Sequence, residues 1–548
     1  MQIRTVTIHN FRSIVDGRFS LNDYSLLIGA NNSGKSNIID ALRVFYEKDG
    51  YKYDPKRDRP LVPINDEEAW IEIVFVLNDD EAEGLKGEYL QPGNLLRVRK
   101  VLAGEPKPGI YAYEGAEISK NSFYGAKPVQ QGKLGEVIYI QAVSRLEDET
   151  KLSGPSPLRD LLSQLLTDVL EGSTAFAKLT KEFQDFAQTV KCEQTDDERS
   201  ISRLETEISN GIAEWDTEFN LSINPVDKAD IIKNLVGFEV IDKALQQATD
   251  PRRQGQGFQR HLVYTLIRLA AKYQTPAAPT DRKEFKPSLT LYLFEEPEAF
   301  LHPTQQDVLC RSLKKLAAQE GNQVLLTSHS PHFVSHNTMD IPSIIRLSRP
   351  QARTLVGQID QSRLEAIFAD NQAINALVKP HDDDYKLDME AIKYFLWLGP
   401  ERCGVFFSRH VLMVEGPTEY VLLRHLIDEG RIEPPTGGVF ILDCMGKYNF
   451  HRFMHILGAL NVSHSILFDG DANKPPHDRI HRLICETCNG HTKEVAVFPD
   501  DIETFLGIEE PKETRRKPQH LMLQLREGAI TEERIDALVA LVDRLIRV

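Results

Sequence analysis

The run Gly29-Ala30-Asn31-Asn32-Ser33-Gly34-Lys35-Ser36 has the spacing G-x-x-x-x-G-K-S. Its glycines let the backbone curl so that N–H groups, including those of Asn31, Asn32, Ser33 and Gly34, point at phosphate oxygens. Lys35 can then reach the β- and γ-phosphates of a nucleoside triphosphate such as ATP, and the Ser36 hydroxyl can ligate Mg²⁺. Far downstream, Glu295-Glu296-Pro297-Glu298 follows an apolar run. An acid at the end of a buried strand can hold the metal through water, and the next can polarise the attacking water. We assign Glu295 to the metal and Glu296 to the general base. His329, in Thr327-Ser328-His329-Ser330 at the end of the next apolar run, is placed to hydrogen-bond the γ-phosphate. Gly255 and Gly257, in the stretch 253–260 before an apolar helix, offer N–H groups at a helix start, which is an anion site.

A second set of acids lies in the last third of the chain. Val414-Glu415-Gly416-Pro417-Thr418-Glu419 puts one carboxylate at a strand end and another in the first turn of a helix. Phe468-Asp469-Gly470-Asp471 puts two more at another strand end. If the two strands are neighbours in a parallel sheet, Glu415, Glu419, Asp469 and Asp471 converge at its carboxyl edge. Carboxylates so close repel one another unless a hard cation lies between them, which favours Mg²⁺ or Mn²⁺. A pair of such ions can hydrolyse a phosphodiester. Beside them, His477, His481, Cys485, Cys488 and His491 have spacing compatible with zinc. A helix and loop without metal is the preferred reading there, because no partner C-x-x-C pair exists elsewhere.

These groups need elements to hold them. Alternating and apolar runs predict strands near 3–8, 19–21, 24–28, 70–77, 96–102 and 137–141, with a helix over 37–46 and a surface loop over 51–68. Apolar residues at helical spacing between 157 and 216 predict a two- or three-helix hairpin that either packs on its own domain or forms a dimer interface. A strand at 289–294, a helix at 304–319 and strands at 323–327 and 344–347 follow. From 410 a second β/α alternation begins: strands 410–414, 439–442, 465–468 and 494–498, with helices 418–429, 449–460 and 478–485 between them. The final residues carry little pattern.

The 548 residues carry a formal charge of −16, which argues against a generally basic nucleic-acid coat. DNA is still admissible as a substrate, because a bound divalent cation inverts the local field and basic clusters such as Arg515, Arg516 and Lys517 exist. No apolar run is long enough to span a bilayer, and the chain opens on a strand pattern rather than a signal peptide. With six scattered cysteines, a cytoplasmic protein with reduced thiols and no membrane partner is expected.

The order phosphate loop, Gly255/Gly257 loop, Glu295-Glu296 and His329 resembles an ABC ATPase head of the SMC and RecF type. In that resemblance the glycine loop is the signature loop, and Arg12 of Asn10-Phe11-Arg12 is an additional phosphate contact. Two such heads share two ATPs, which implies a homodimer or higher homo-oligomer. The Glu415/Glu419 and Asp469/Asp471 pattern resembles a TOPRIM domain. Together the two resemble the OLD (overcoming lysogenisation defect) family of ATP-dependent nucleases. The resemblance implies an α/β chain: ATPase head over 1–156 and 221–395, a helical dimerisation insertion over 157–220, and a TOPRIM Rossmann-like domain over 396–548. It implies metal-dependent DNA cleavage, with Asp501 and Glu503 as further metal ligands and Lys517, or second Lys512, assisting the transition state. It suggests anti-phage defence as in Gabija-type systems or retron effectors, with a helicase-like or other defence partner. The rival expectation is a non-cleaving repair factor or a sensor ATPase acting through a partner.

Overall fold

A computed structural model describes residues 1–141 apart from 126–128 and 130–131, then 173–193, 200–211, 240–249 apart from 244–245, 287–334, 338–378, 399–470 and 477–547, with isolated positions between them. Two compact units result: residues 143–281, and the rest of the chain.

The larger unit is built on three sheets. The first is antiparallel and pairs Gln2–Phe11 with Ile14–Ser20 on one side and Ala69–Val76 on the other, then continues through Leu95–Ala103 and Gly109–Glu114. The second runs in the order Leu355–Gln358, Ile344–Ser348, Tyr24–Ile28, Asn322–Thr327, Thr290–Glu295, Glu136–Ile140. Its strands are parallel except Leu355–Gln358, which returns antiparallel at the edge. Tyr24–Ile28 is buried along its whole length, as a strand covered on both faces must be. Its carboxyl end feeds the phosphate loop, and the helix Lys35–Tyr46 packs Ile38, Ile39, Leu42 and Phe45 into the core between the first two sheets.

The third sheet is fully parallel, in the order Phe440–Asp443, His410–Val414, Ser463–Asp469, Thr492–Phe498. The strand ending before Glu415 is therefore central, with the Asp469 strand directly beside it. Its core takes in Leu412, Val414, Leu423, Leu467 and Phe498, together with Leu521, Leu538, Val542 and Leu545 from the C-terminal helices.

A buried guanidinium joins the second and third sheets. Arg346 is 4% exposed. Its Nε and terminal nitrogens donate to the carbonyls of Phe406 (3.1 Å), Ser408 (2.8 Å), Leu460 (3.2 Å) and Asn461 (2.8 Å). None of these partners is a carboxylate, and burial lowers the Arg346 pKa to about 10. The same strand pairs Arg346 with Ile28 at the mouth of the phosphate loop.

Most expected elements occur within a residue or two of their expected ends, but three departures have physical reasons. The strands Gly109–Glu114 and Leu355–Gln358 are short and glycine-containing, so periodicity does not flag them. The expected loop over 51–68 contains the short helix Pro55–Asp58, capped by the Asp54 side chain. The stretch expected to carry little pattern holds three helices, Ile502–Leu506, Lys517–Arg526 and Glu532–Ile546. The last of these does show a signal: Thr531 precedes Glu532 and Glu533, and Ile535, Leu538, Val542 and Leu545 form one buried stripe.

In the smaller unit, helices Thr174–Cys192 and Ile201–Gly211 carry the exposed apolar side chains Leu179, Phe186 and Leu204. The leucine-rich stretch 158–165 and most of 221–239 and 259–273 lie outside the described residues.

Candidate functional site

The nucleotide pocket begins where the strand Tyr24–Ile28 ends. Gly29 has φ 144°, and a Cβ there would run into the carbonyl oxygen of Leu347, so only glycine allows this approach. Gly34 caps the following helix in the left-handed region. Lys35 is buried and folds back over its own loop, donating to Gly29 O at 2.9 Å and Ala30 O at 3.2 Å. Burial depresses its pKa to about 8, against the raising effect of Glu296 and Glu298. These carbonyls hold the ammonium where a phosphate would otherwise satisfy it.

Ser36 and Glu295 hydrogen-bond, which brings the two expected metal-holding groups together. Glu295 also accepts from the Tyr139 hydroxyl at 2.9 Å. Burial raises its pKa above the usual carboxylate range, so a cation at this position would find its charge undersatisfied. Glu296 lies in the left-handed region at φ 42°, pinned by N–H donation to Thr327 O and Oγ1. Its carboxylate points to His329 at 3.4 Å. The His329 pKa is lowered, first by burial and then by Lys35, which keeps the ring a neutral hydrogen-bonding group.

Sequence reasoning left Glu298 without a role. It is buried, and its Oε1 accepts from Ser328 Oγ (2.8 Å) and the His329 amide (2.6 Å), fixing the loop that carries His329. Arg12 is placed differently from a group waiting for phosphate. Its guanidinium donates to Asp40 (2.7 Å), Asp58 (2.9 Å), Asn37 and Tyr51 beside the phosphate-loop helix. Contact with a nucleotide would require it to exchange those partners. Asn32 accepts from Arg349 at 2.7 Å, and the Ser33 carbonyl accepts from Thr354. Gly255 and Gly257 belong to the smaller unit, where Gly257 and Phe258 start a helical turn and Phe258 N–H donates to Gly255 O.

The acidic centre lies on the third sheet. Glu415 follows the central strand, and its Oε2 accepts the Asp469 amide at 3.3 Å. Glu419 is 4% exposed and accepts the Gly416 amide at 3.0 Å. Glu503 is completely buried, while Asp501 caps its helix by accepting the Thr504 amide. Asp471 lies outside the described residues. Asp469 is driven up to about 9 by burial and by Glu419, Glu415 and Glu503, with Lys517 opposing. Glu419 rises to about 7 through burial and the charge of Glu415. Asp469 Oδ1 and Glu503 Oε1 are buried with no hydrogen-bond partner among the described residues. Unpaired carboxylate oxygens at a crowded, low-dielectric rim fit a divalent cation, which would supply the missing positive charge.

Lys517 meets this cluster from the C-terminal helices, donating to Glu503 at 3.2 Å and Glu510 at 2.7 Å. Its pKa is raised by those acids against the opposing effect of burial. Glu510 was not singled out from the sequence. With Asp501 and Glu503 it forms the one trio, among the described residues, whose ligand atoms lie within 4.8 Å of one another. Cys485, Cys488 and His491 make no such group.

With both sites in place, comparison with known proteins is informative. A model of the AAA ATPase domain matches residues 1–103 and 110–334, more than half of the chain.

The chain belongs to the AAA ATPase domain family.

The overcoming lysogenization defect protein-like TOPRIM domain model matches residues 406–471, the segment that contains Glu415, Glu419 and Asp469. Curated relatives align over most of the chain. The Old nuclease of Escherichia phage P2 is 22% identical over 86% of this chain and 77% of its own length. Endonuclease GajA of Bacillus cereus (strain VD045) is 22% identical over 86% of this chain and 75% of its own. An SMC head solved with the C-winged helix domain of ScpA aligns at 14% identity over 66% of this chain and 99% of its own, with a TM-score of 0.40. Use of a nucleotide and of a divalent metal follows from the two domains. No helix among the described residues is long and apolar enough to cross a membrane.

Proposed function

We propose that this AAA ATPase is an ATP-regulated, divalent-metal-dependent DNA endonuclease that nicks or cuts at its TOPRIM rim. The observation that carries the reading is the 3.3 Å approach of the Asp469 amide to the Glu415 carboxylate on neighbouring parallel strands. That approach gathers Glu415, Glu419 and Asp469 with Glu503 at one edge, with two of their oxygens unpaired. Glu415, Glu419, Asp469 and Asp471 would hold Mg²⁺ or Mn²⁺, with Asp501 and Glu503 as the second acidic group. Bound there, such ions lower the pKa of a water and stabilise the charge of a phosphodiester under attack. Asp501 and Glu503 are kept in place by the Thr504 amide and Lys517.

In the nucleotide pocket, Lys35 and the phosphate-loop amides bind ATP, Ser36 and Glu295 hold Mg²⁺, Glu296 orients water and His329 senses the γ-phosphate. Gly255 and Gly257 complete the phosphate contacts when two copies meet, and Arg12 is an additional phosphate contact once it exchanges Asp40 and Asp58 for the nucleotide. A homodimer or higher homo-oligomer is supported by Leu179, Phe186 and Leu204, whose large apolar side chains stand exposed on the helical insertion. Anti-phage defence is in keeping with the GajA naming of a relative; we extend the reading to a cytoplasmic protein working beside a helicase-like or other defence partner.

The test is conversion of supercoiled plasmid to nicked or linear product with Mg²⁺ or Mn²⁺, with and without ATP. Wild-type protein should cut and Glu415→Ala should not. Intact plasmid after incubation with folded, metal-loaded wild type would overturn the reading.

A further inference from the structure

Beside the carboxylates, the rim holds, among the described residues, a buried cation that neither the sequence motifs nor the proposed ligand set uses. Lys447 is 3% exposed, yet its Nζ donates to the backbone carbonyl of Asp469 at 3.3 Å. Lys447 follows the strand Phe440–Asp443, whereas Asp469 ends Ser463–Asp469, and these two strands are separated by the central strand His410–Val414. The loop that carries Lys447 crosses the carboxyl edge of the sheet to the end of the central strand, where the Gly446 amide meets the Glu415 carbonyl, and the lysine side chain reaches on to Asp469.

Its loop is built rigidly for this reach. Cys444 N–H donates to Val414 O, and Gly446 N–H donates to Glu415 O at 2.6 Å. Asn449 Nδ2 closes the loop onto the carbonyls of Cys444 and Met445, and Asp443 accepts the Met445 amide. Gly446 sits at φ 105°, a conformation a side chain would strain, so the chain can turn from the strand directly into the lysine. An ammonium held this way loses little further side-chain freedom when it engages a ligand.

We propose that Lys447 is a catalytic residue of the TOPRIM site, donating a hydrogen bond to a non-bridging oxygen of the scissile DNA phosphate. The proposal rests on the endonuclease reading. In hydrolysis a water oxygen bonds to phosphorus and one ester P–O bond breaks. The electron pair of that bond and one proton of the water go to the leaving oxygen. Negative charge grows on the non-bridging oxygens in between, and a preplaced ammonium stabilises it without transferring a proton.

The test compares wild type, Lys447→Met, Lys447→Arg and Glu415→Ala by single-turnover plasmid nicking across a Mn²⁺ titration. Mn²⁺ affinity is measured separately by calorimetry, and folding by circular dichroism. Lys447→Met should slow nicking about 100- to 1,000-fold, as loss of one charge-stabilising donor does, while Mn²⁺ affinity stays within about threefold of wild type. Lys447→Arg, which keeps a cation and the loop, should recover at least part of that loss, and it reads out the proposal if the methionine variant does not fold. Nicking by Lys447→Met at the wild-type rate, or full recovery at high Mn²⁺, overturns the inference alone and leaves a cutting wild type. A wild type that binds Mn²⁺ and cuts nothing overturns the endonuclease reading, and this inference with it.

Discussion

The backbone amide of Asp469 donates to Oε2 of Glu415, 3.3 Å away on the neighbouring strand. That bond fixes one oxygen of Glu415, while Asp469 presents an Oδ1 with no hydrogen-bond partner among the described residues. Asp469→Asn keeps the shape but removes the charge. Cleavage should fall by about three orders of magnitude or more, as when one member of a cooperating catalytic set is lost, with folding intact. Plasmid nicking and circular dichroism on the same preparation check this.

The same crowding makes the metal-free protein sensitive to pH. Asp469 at about 9 and Glu419 at about 7 hold protons in the folded state that the unfolded chain has already released. Between the ordinary carboxylate range and about 9 the native state therefore binds more protons, and stability falls as pH rises. Without divalent ions, the melting temperature should drop from pH 6 to pH 9. Mn²⁺ should displace those protons, so its stabilising increment should grow with pH. Thermal melts across that range, with and without Mn²⁺, read both trends.

In the nucleotide pocket, Glu296 and Glu298 should separate by function. With Glu296, partly exposed and facing His329, in its proposed role of orienting the attacking water, Glu296→Gln should cut ATP turnover by about 100-fold or more while leaving ATP binding in place. Glu298 instead holds the Ser328–His329 loop. Glu298→Ala leaves the Ser328 hydroxyl and the His329 amide without their shared acceptor, which costs about 1–3 kcal/mol in a buried site, and should lower both stability and turnover. ATPase assays, fluorescent-nucleotide binding and melting temperature distinguish the two.

Arg346 gives a prediction about stability. Replacing it by methionine removes the donor shared by the carbonyls of Phe406, Ser408, Leu460 and Asn461 at a largely buried joint. The loss should be about 3 kcal/mol or more, since hydrogen bonds from a charged donor exceed neutral ones. Arg346→Lys should recover only part of it, because a point-like ammonium cannot match the guanidinium fork. Calorimetric unfolding of the three proteins checks the order.

The sequence made the local parts of both sites legible. The phosphate loop, Glu295-Glu296, Glu415 and Asp469 each stand at the end of an apolar strand, and strand plus motif can be read along a line of residues. Roles set by long-range contacts were not readable that way. Glu298 acquires its role from an amide 31 positions on, and Lys447 from a carbonyl 22 positions on. Arg346 reads as one charged residue inside an apolar strand until the loops around 406 and 460 close over it. Arg12 shows the converse: the motif draws attention to its charge, while Asp40 and Asp58 determine where that charge is held.

The guanidinium of Arg346 recognises main-chain oxygens only. The hydrogen bonds of this joint therefore ask for no particular side chain at 406, 408, 460 or 461; Phe406 and Leu460 are held to their type by burial in the core instead. For the bonds themselves, the requirement for a residue type falls on the arginine codon. A chimera that grafts a foreign nuclease half onto this ATPase would need to reproduce a pattern of backbone positions, not a matching set of amino acids.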